Sequence, residues 1–469
     1  MARIAVIGAG MGAMATAARL AVAGHQVTVY ERGSTYGGSV GRYERDGFAF
    51  DTGPGLLHLP AVYRDLFVKT GKRPLEDCAE LVQVDPALRH VLADGTAVTL
   101  PGGSRGGAAA VLDEAFGAGA GERWNAVLGR ARDAWNATRR PLLEEPLRPD
   151  WQVLGRDPYP AVRGSGLLRR RPPTLAEVAA RELGGRLSEL LTARVRAYGI
   201  DPATAPASAA VLPYMEQTFG SWYVRGGMRT LATAVYERCL ERKVAFVFGT
   251  PVREVLERDG RAAGLVLADG SEAAADFVVC GADPRQLRAP LPGGAPARGA
   301  GVAGRITLLL ALRGARPADA VHRTLVHSPG AQVTVLRPDD PAGRPDADHE
   351  AVTVSAPCDL EGASAPPAEA LLDLVARAVP GLRERLLWTH ERTPADTEAD
   401  TGALGGAVPP PALAGAGGAM LYPANTTALP GLFLAGGWAH PGGGLAHAGM
   451  TGALVAGLIV EGAGFRGSQ

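Results

Sequence analysis

The chain has 469 residues, 46% of them hydrophobic, and its 48 basic residues balance its 48 acidic residues. This length is enough for about two to three domains, and the apolar content can fill their cores. A net charge of zero gives no overall attraction to nucleic acid, so we expect no nucleic-acid partner.

The cysteines and the apolar segments favour a cytoplasmic protein. The four cysteines (Cys78, Cys239, Cys280 and Cys358) form no CxxC pair and have no histidines at zinc-ligand spacing, which predicts reduced thiols and no metal site. Arg19 interrupts the apolar N-terminus, and no other apolar run reaches the ~18 residues that a membrane span needs. Peripheral contact with a membrane stays open.

The first 31 residues have the pattern of a strand, a helix and a second strand. Residues 3–7 (RIAVI) and 26–31 (QVTVYE) are predicted strands, and residues 14–24 are predicted helix. The connecting GAGMGA places a G-x-G-x-x-G/A fingerprint between the first strand and the helix. This order predicts a dinucleotide-binding lobe.

Each fingerprint position has a physical task. Gly8 allows the tight turn, Gly10 lets the backbone approach a pyrophosphate, and Ala13 lets the helix pack closely on the strand. Glu31 ends the second strand near the expected distance of ~20 residues, where an acid binds ribose hydroxyls.

Two later segments favour FAD over NAD. Residues 37–55 are predicted to be irregular Gly/Pro-rich backbone rather than the next unit of a nicotinamide domain, and such backbone suits a second approach to a long cofactor. Residues 244–284 are predicted to be short strands with turns at Asp259-Gly260 and Asp269-Gly270, a meander that returns to the first sheet.

A second lobe is predicted from discontinuous pieces. Thr174 and Glu177 form a capping box ahead of one predicted helix over residues 175–195, and residues 290–304 are the clearest linker. Three predicted strands form a sheet that floors a substrate cavity: 306–312, 332–336 and 351–355. The predicted division assigns 1–73, 220–291 and 415–469 to the FAD-binding lobe, and 74–219 and 292–414 to the substrate lobe.

Several motifs together resemble the phytoene desaturase family of the FAD-dependent amine oxidase superfamily. They are GAGMGA with Glu31, GRYERDGFAFDTGPG, VDPALRHVLADG, EQTFGSWYVRGGMRTLA, TPVREV and NTTALPGLFLAGGWAHPGGG. They occur in family order along nearly the whole chain, and FDTGP together with HPGGG is typical of the desaturase branch. The resemblance implies an α/β fold with a Rossmann-like FAD-binding domain and a mixed-sheet and helical substrate domain, FAD as cofactor, and dehydrogenation of a lipophilic isoprenoid or polyene.

The resemblance also implies cofactor contacts along the chain. Pyrophosphate, ribose, adenine, ribityl and flavin-ring contacts are expected at Gly8, Gly10, Ala13, Glu31, Arg32, Gly38, Ser39, Val252, Gly436, Gly437, Gly444 and Leu445. Glycines let the backbone approach a flat ring, and a helix after Gly444 would direct its N–H groups at the flavin, where they favour negative charge. Two positions depart from the family: Ser39 stands where many relatives have arginine, and Ala446 stands where they have proline.

The catalytic residues are less well defined by the sequence. His440, directly before PGGG, is the best-placed candidate for proton handling or substrate orientation, with a packing role as the alternative. Glu216 and Tyr214 are candidates for residues of the cavity wall. The alternative is that they lie at a solvated strand end. His58 and His447 are weaker candidates. Trp222, Tyr223 and Trp438 are candidates for apolar walls.

Other functions stay open at this stage. The alternatives are a tailoring dehydrogenase, cyclase or isomerase acting on a polyketide-like polyene, an FAD amine oxidase, and a non-enzymatic flavin-binding redox protein. The amine oxidase branch keeps a lysine near the flavin, whereas this chain has none after Lys243. Covalent members use a cysteine near the C-terminal glycines, whereas the last cysteine here is Cys358, so noncovalent FAD is expected. The arginines of residues 166–174 are expected to be solvated, with contact to an anionic membrane as the alternative.

Overall fold

The computed structural model describes residues 1–162, 171–286, 302–328, 331–360, 364 and 366–467. The predicted linker, apart from residues 302–304, and residues 166–170 of the arginine-rich segment lie outside the described residues.

The helices are α1 (Met11–Val22), α2 (Ala61–Thr70), α3 (Arg105–Phe116), α4 (Ala120–Arg139), α5 (Leu175–Glu182), α6 (Gly185–Arg196), α7 (Val211–Phe219), α8 (Met228–Glu241), α9 (Ala368–Ala376), α10 (Leu382–Arg385), α11 (Pro394–Thr401) and α12 (Leu445–Glu461). A π-helical turn at Arg140–Glu144 extends α4, and short 3-10 turns lie at Leu75–Asp77, Trp151–Gly155, Ala207–Ala210, Pro284–Gln286, Pro341–Gly343, Leu404–Gly406, Ala416–Gly418 and Gly462–Gly464.

The strands are β1 (Arg3–Ile7), β2 (Gln26–Tyr30), β3 (Arg42–Arg45), β4 (Phe48–Asp51), β5 (Leu81–Gln83), β6 (Leu88–Val91), β7 (Ala97–Leu100), β8 (Trp222–Val224), β9 (Ala245–Val247), β10 (Val252–Arg258), β11 (Arg261–Leu267), β12 (Glu272–Ala274), β13 (Phe277–Cys280), β14 (Gly304–Arg313), β15 (Arg323–Ser328), β16 (Ala331–Leu336), β17 (His349–Cys358), β18 (Leu386–Arg392) and β19 (Leu432–Leu434).

The parallel sheet has the strand order β19-β13-β1-β2-β9, and every pair in it is parallel. Alternate residues of β1 enter the cores on its two faces, Ile4 and Val6 on one side and Ala5 and Ile7 on the other. Helices α1, α8 and α12 cover the first face, and the antiparallel β10-β11-β12 sheet covers the second. The predicted strand-helix-strand unit and the predicted meander are both confirmed.

Helices α1 and α12 pack with their backbones unusually close. A Cβ at Gly12 would lie 2.7 Å from the Cα of Gly436, and a Cβ at Gly452 would lie 2.8 Å from Ala15. Contacts that short admit no side chain. Glycines therefore bring the first helix of the chain against the helix that follows the C-terminal glycine segment.

The large sheet has the strand order β18-β14-β17-β16-β15-β6-β7. Strands β14, β16 and β17 contain the three strands predicted in the substrate lobe, which confirms them, and each observed strand is longer than predicted. One face packs on α9, and the other packs on α6, where Leu325 meets Ala193. The five-part domain division stays a prediction, although the two sheets do take their strands from separate stretches of the chain.

Two local predictions were wrong. Residues 175–195 form two helices rather than one, because Gly184 and Gly185 adopt φ values of +69° and +44° and end the first helix. The capping box of Thr174 and Glu177 at its start is confirmed. Residues 37–55 are not irregular throughout, since β3 and β4 form a hairpin whose turn has positive φ at Asp46 and Gly47.

Within the described residues, no helix combines the length and the apolar character needed to cross a membrane. All four cysteines are free.

Candidate functional site

The glycine loop leaves an open, positively polarised cradle at the start of α1. Gly8 has a φ of +84°, and the N–H of Gly37 donates to the Ala9 carbonyl at 2.8 Å, which draws a second glycine strand alongside. Gly10 begins α1 without a side-chain cap, and a Cβ built there would meet nothing within 4 Å. The start of α1 therefore has no side-chain cap and leaves room beside Gly10, as an anion site requires.

Glu31 lies beside this loop with both carboxylate oxygens oriented. Oε2 accepts from the N–H of Ala9 and Oε1 accepts from the N–H of Gly33, each at 2.7 Å. A carboxylate oxygen accepts more than one hydrogen bond, so ribose hydroxyls still find acceptors here. The Glu31 carbonyl accepts from Thr250 at 2.8 Å, which brings the segment that contains Val252 next to the same site.

The structure gives Arg32 a different set of contacts from those expected for a cofactor ligand. Its guanidinium donates to the carbonyls of Glu398, at 3.1 Å, and Ala399 on α11. The side chain thus joins α11 to the end of β2. Its cofactor contact stays a prediction.

Gly38 and Ser39 line the second glycine strand. A Cβ at Gly38 would lie 3.1 Å from the Cα of Gly10, so this glycine directly adjoins the loop. Ser39 is exposed, and its backbone carbonyl packs so tightly on Gly53 that no side chain fits at Gly53. Both residues therefore lie beside the cradle, Ser39 without a charge to offer a phosphate.

The predicted C-terminal wall folds back onto α1. The N–H of Gly436 donates to the hydroxyl of Thr451 at 2.9 Å, and Gly437 packs against Pro409 and Gly443. Gly444, with a φ of +89°, starts α12 without a side-chain cap, and the Leu445 carbonyl accepts from the Tyr63 hydroxyl at 2.9 Å. A second uncapped helix N-terminus therefore adjoins the first.

The donor set fits a dinucleotide with a flat ring. Two helix N-termini offer unpaired N–H groups, one carboxylate offers acceptors, and Gly10 leaves the volume between them open. Ala13 packs closely on Gly281, since a Cβ built at Gly281 would lie 2.6 Å from the Cβ of Ala13. Ala446, which stands where many relatives have proline, is buried in the first turn of α12, and the helix is regular there.

His440 is fully buried beside this wall. Its Nε2 lies 3.0 Å from the Glu145 carbonyl, and its Nδ1 has no hydrogen-bond partner in the described residues. A carbonyl only accepts, so Nε2 carries the proton and Nδ1 presents a free lone pair. Burial lowers the pKa of His440 to about 4, outweighing the Glu145 contact, and the ring is therefore neutral at pH 7.

The other two candidate histidines lie nearby, since His447 is within electrostatic range of both His440 and His58. Burial lowers the pKa of His447 to about 4, and His440 and His58 lower it further. His58 has Nδ1 3.4 Å from the Ser221 hydroxyl, and burial lowers its pKa as well. The structure thus brings His58 close to His447, although nearly 400 residues separate them in the sequence, and all three imidazoles are neutral.

Two cavities lie in this part of the molecule. The apolar cavity is lined by His447 of α12 and by apolar side chains that include Trp135, Leu142, Leu143, Leu212, Met215 and Leu413, and the polar side chains of Thr138, Arg139 and Ser208 complete its lining. The hairpin cleft lies between hairpin β3–β4 and the large sheet and includes Gly53, Tyr223, His322, Leu336 and Thr353. Helix α7 contributes to the apolar cavity, and β8 contributes to the hairpin cleft.

Glu216 and Tyr214 lie on α7, so the predicted alternative of a solvated strand end was wrong. Tyr214 is buried and its ring packs edge-on against Phe219. Glu216 is buried and accepts from Arg194 and from the Tyr198 hydroxyl, at 2.9 and 2.8 Å. Burial would raise the pKa of Glu216, but Arg323 and Arg194 outweigh it and hold the pKa well below its ordinary range. Glu216 is therefore an ionised partner of arginines rather than a proton donor.

The three aromatic candidates divide between these regions. Tyr223 lines the hairpin cleft and donates to the buried Asp340 at 2.9 Å. Trp222 starts β8 and lies under the guanidinium of Arg64, whereas the ring of Trp438 lies under that of Arg285, 4.4 Å from its centroid. Trp222 and Trp438 thus stack on arginines, and Tyr223 alone of the three walls a cavity.

Sequence reasoning assigned no role to Asp51 and Tyr63. Asp51, inside FDTGP, accepts from the N–H of Met228 at 2.8 Å and caps α8, and burial raises its pKa to about 6. The motif was visible, but its partner lies far along the chain. Nothing in the sequence marks Tyr63 as a support for Leu445.

Comparison with known proteins identifies the family. The model of the family described as flavin containing amine oxidoreductase matches residues 14–460. The chain belongs to this family.

Two solved structures share its fold. A putrescine oxidase superposes with a TM-score of 0.68 at 15% identity, covering 98% of this chain and 99% of that one. An oxidoreductase from Methanosarcina mazei superposes with a TM-score of 0.66 at 16% identity, covering 96% and 98%. The chain therefore has the α/β fold of FAD amine oxidases, as predicted.

Three curated relatives have names from carotenoid chemistry. A 4,4'-diapolycopene oxygenase of Methylomonas sp is 30% identical over 59% of this chain and 55% of its own length. A zeta-carotene-forming phytoene desaturase of Myxococcus xanthus is 32% identical over 60% and 53%. A hydroxyneurosporene desaturase of Cereibacter sphaeroides is 29% identical over 98% and 97%. The chain spans only about half the length of the first two relatives.

Proposed function

We propose that the protein is an FAD-dependent desaturase that holds FAD without a covalent bond and dehydrogenates a lipophilic isoprenoid or polyene. The observation that carries this proposal is the apolar cavity at the N-terminus of α12, next to the glycine wall. The names of the three relatives support the same substrate class.

The cofactor residues are proposed from the donor set. The N–H groups at the start of α1 would hold the pyrophosphate, Glu31 the ribose, and the wall from Gly436 to Leu445 the flavin end. Bound flavin would accept a hydride from a C–H bond of the substrate, and the neighbouring carbon would lose a proton as the double bond forms between the two carbons. The chain's own task is to orient the substrate, exclude water and receive the proton.

Noncovalent attachment is supported by the state of the thiols. Burial raises the pKa of Cys239 and of Cys280 to about 12, and it also raises the pKa of Cys78 and Cys358. Thiols rather than thiolates are present at pH 7, and only a thiolate is a strong nucleophile.

The side chains favour a carbon–carbon bond over an amine as the substrate group. The three lysines, Lys69, Lys72 and Lys243, are all exposed, so none lies at the glycine wall. The apolar cavity is walled mainly by leucine, methionine and tryptophan side chains, which desolvate a hydrocarbon at no cost, and the charged side chain in its lining is that of Arg139, which repels an ammonium group.

We assign His440 as the base that accepts the proton lost by the substrate. Its Nδ1 lone pair is buried, unpaired and held in one tautomer by the Glu145 carbonyl. A base with a pKa of about 4 is weak, but a weak base suffices to take a proton from a carbon adjacent to a carbocation that conjugation stabilises.

We also place the protein in the cytoplasm, in contact with the membrane surface that supplies its substrate. Free cysteines suit a reducing compartment. The exposed apolar side chains of Trp151 and Val153 lie in the turn whose Leu154 carbonyl accepts from Gly415, close to the cavity residues Leu413 and Ala414.

The first experiment mixes the purified holoprotein, without oxygen, with a C40 isoprenoid precursor in micelles, with an acyl polyene, and with putrescine. We expect bleaching of the flavin absorbance by the isoprenoid and none by putrescine or by a saturated isoprenoid control. Bleaching by the acyl polyene alone would favour a tailoring oxidoreductase, and bleaching by the amine alone would overturn the proposal. An unchanged spectrum with every compound would favour isomerisation or a non-enzymatic flavin protein.

Two variants of His440 sharpen this experiment. His440→Gln keeps an N–H for the Glu145 carbonyl and removes the lone pair at Nδ1, so we expect the bleaching rate to fall by about 10²-fold. His440→Asn places an amide oxygen near Nδ1 and should lose less. Equal rates for wild type and both variants, at equal flavin content, would return His440 to a packing role.

Gly10 gives the sharpest test of the cofactor site. Its φ of −72° suits any residue and its Cβ position is open, so Gly10→Val should fold while its side chain fills the phosphate cradle. We expect flavin content per chain to fall at least about tenfold, corresponding to ~1.4 kcal/mol of binding. Gly129→Ala, at an equally open position within α4, is the control and should keep its flavin. Full flavin occupancy in Gly10→Val would contradict the proposed site.

A further inference from the structure

A buried cluster between the large sheet and helices α6 and α7 carries more positive than negative charge. Arg194 on α6 and Arg323 on β15 both contact the carboxylate of Glu216 on α7, at 2.9 and 3.1 Å. None of the three side chains is more than 7% exposed. Two guanidinium groups thus share one carboxylate, and we name these three residues the Glu216 cluster.

The neighbouring groups do not neutralise the excess. Tyr198 donates its hydroxyl to Glu216, and burial raises its pKa further, so it stays uncharged. Burial lowers the pKa of His58, His90 and His322, and these histidines are neutral rather than negative. Arg305, which donates to the Ala197 carbonyl at 2.7 Å, adds positive potential to the same layer.

Glu216 is the acceptor that Arg323 contacts within the described residues, whereas Arg194 also donates to the Pro213 carbonyl at 3.2 Å. A guanidinium has five N–H groups, so Arg323 has room for a further acceptor. A buried excess of positive charge is costly unless an anion balances it.

Arg323 lies on the face of the large sheet that lines the hairpin cleft. Arg323 lies directly opposite Leu336 in the β15–β16 register, and Leu336 lies opposite Thr353 on β17. Side chains of opposed residues share one face of a sheet, and Leu336 and Thr353 line the hairpin cleft. Arg323 therefore continues the row of cleft-lining side chains by one strand.

We propose that the Glu216 cluster binds a carboxylate at one end of the substrate, so that the protein prefers a polyene acid over the corresponding pure hydrocarbon. The polyene part of this substrate rests on the proposed function, whereas its carboxylate rests only on the charge of the Glu216 cluster. One added carboxylate balances the excess guanidinium of Arg323, and its planar pair of oxygens matches the guanidinium fork. The apolar walls then hold the polyene along the two cavities.

A binding assay tests the cluster without any requirement for catalysis. The fluorescent conjugated tetraene parinaric acid and its methyl ester have the same chain and differ in the charge of one end. We expect the holoprotein to bind the acid about 10- to 100-fold more tightly than the ester, the range that a charge-assisted contact supplies. Equal dissociation constants for acid and ester would overturn the proposal.

Variants that are expected to weaken or to strengthen binding of the acid give a second, independent measurement. Arg323→Met should abolish the preference for the acid and leave ester binding unchanged, and Arg323→Lys should retain part of it. Glu216→Gln removes the competing carboxylate and should tighten acid binding. The control is Arg337→Met, in a separate buried cluster, which should keep the full preference. An acid preference unaltered by Arg323→Met would place the carboxylate elsewhere and contradict the proposal.

The two proposals fail in different ways. If the isoprenoid precursor bleaches the flavin but acid and ester bind equally, the desaturase proposal stands and the carboxylate site is wrong. If no substrate bleaches the flavin but the acid preference depends on Arg323, the carboxylate site stands and the desaturase proposal is wrong.

Discussion

The structure contains two buried clusters in which two arginines share one glutamate, and they differ in what else the arginines contact. In the first, Glu216 contacts Arg194 and Arg323. In the second, Glu350 accepts from Arg337 at 2.7 and 3.0 Å and from Arg385 at 2.8 Å. Glu350 is fully buried, as Glu216 nearly is.

In the second cluster, backbone carbonyls supply further acceptors to both arginines. Arg385 donates to the carbonyls of Arg313 and Gly314, both at 2.9 Å, and of Ala315, and Arg337 donates to that of Ala378. Carbonyl oxygens carry partial negative charge, so they compensate the extra guanidinium. The same three residue types thus give a closed structural unit at Glu350 and an open one at Glu216.

The largest expected effect is a loss of folding stability at acidic pH. Burial lowers the pKa of four histidines to about 4: His322, His327, His440 and His447. Unfolded histidine binds a proton below pH ~6.5, so each of these stabilises the fold less as the pH falls from about 6.5 to 4, by up to ~3 kcal/mol. Asp51 has the opposite sign, since its raised pKa of about 6 favours the fold on protonation.

Four histidines outweigh one aspartate, so we expect the free energy of unfolding in urea to fall steeply below pH 6.5. Hydrogen exchange near pH 5 should show α6, which packs on the Glu216 side, losing protection before β14 and β17. Constant stability from pH 7 to 4 would show that these imidazoles are not neutral in the fold.

Loss of the shared carboxylate should have the next largest effect. Glu350→Gln leaves two buried guanidinium groups without a counter-charge, and we expect a loss of about 3–5 kcal/mol in the free energy of unfolding. The measurement is equilibrium unfolding of the holoprotein in urea at pH 7. A loss under about 1 kcal/mol would mean that the carbonyls alone hold both arginines.

Removal of one arginine should separate the two clusters most clearly. Arg337→Met breaks a bidentate pair and should cost about 2–3 kcal/mol, whereas Arg323→Met removes an excess charge and should stay within about 1 kcal/mol of wild type. Thermal unfolding of both variants side by side measures the difference. Equal losses would erase the distinction between a closed and an open cluster.

The cofactor lobe was the more predictable half of the molecule. Strand, turn and helix from Arg3 to Tyr30 follow from local pattern, and Gly8, Gly10 and Glu31 lie together because the unit is continuous in sequence. The C-terminal glycines were also visible, since few physical reasons exist for so many of them beside a buried helix.

The Glu216 cluster was not predictable, because its partners come from three elements that only the tertiary fold brings together. Nothing local to PYMEQTF indicates that Glu216 faces Arg194 or Arg323. The two wrong local predictions could have been corrected from the sequence. The paired glycines at 184–185 predict a helix end, and Asp46-Gly47 between alternating residues predicts a hairpin. Arg32 had none, since its acceptors are backbone carbonyls of α11.

The contact between α1 and α12 has a consequence for biosynthesis. The glycine loop is translated more than 400 residues before Gly436 and the helix that packs on it. While the chain is being made, the early strands can form only half of the proposed cofactor site, and the face of α1 that Gly452 later covers stays bare. A cofactor held at this site would therefore be captured near the end of synthesis, and a chain whose synthesis stops before α12 would not retain it.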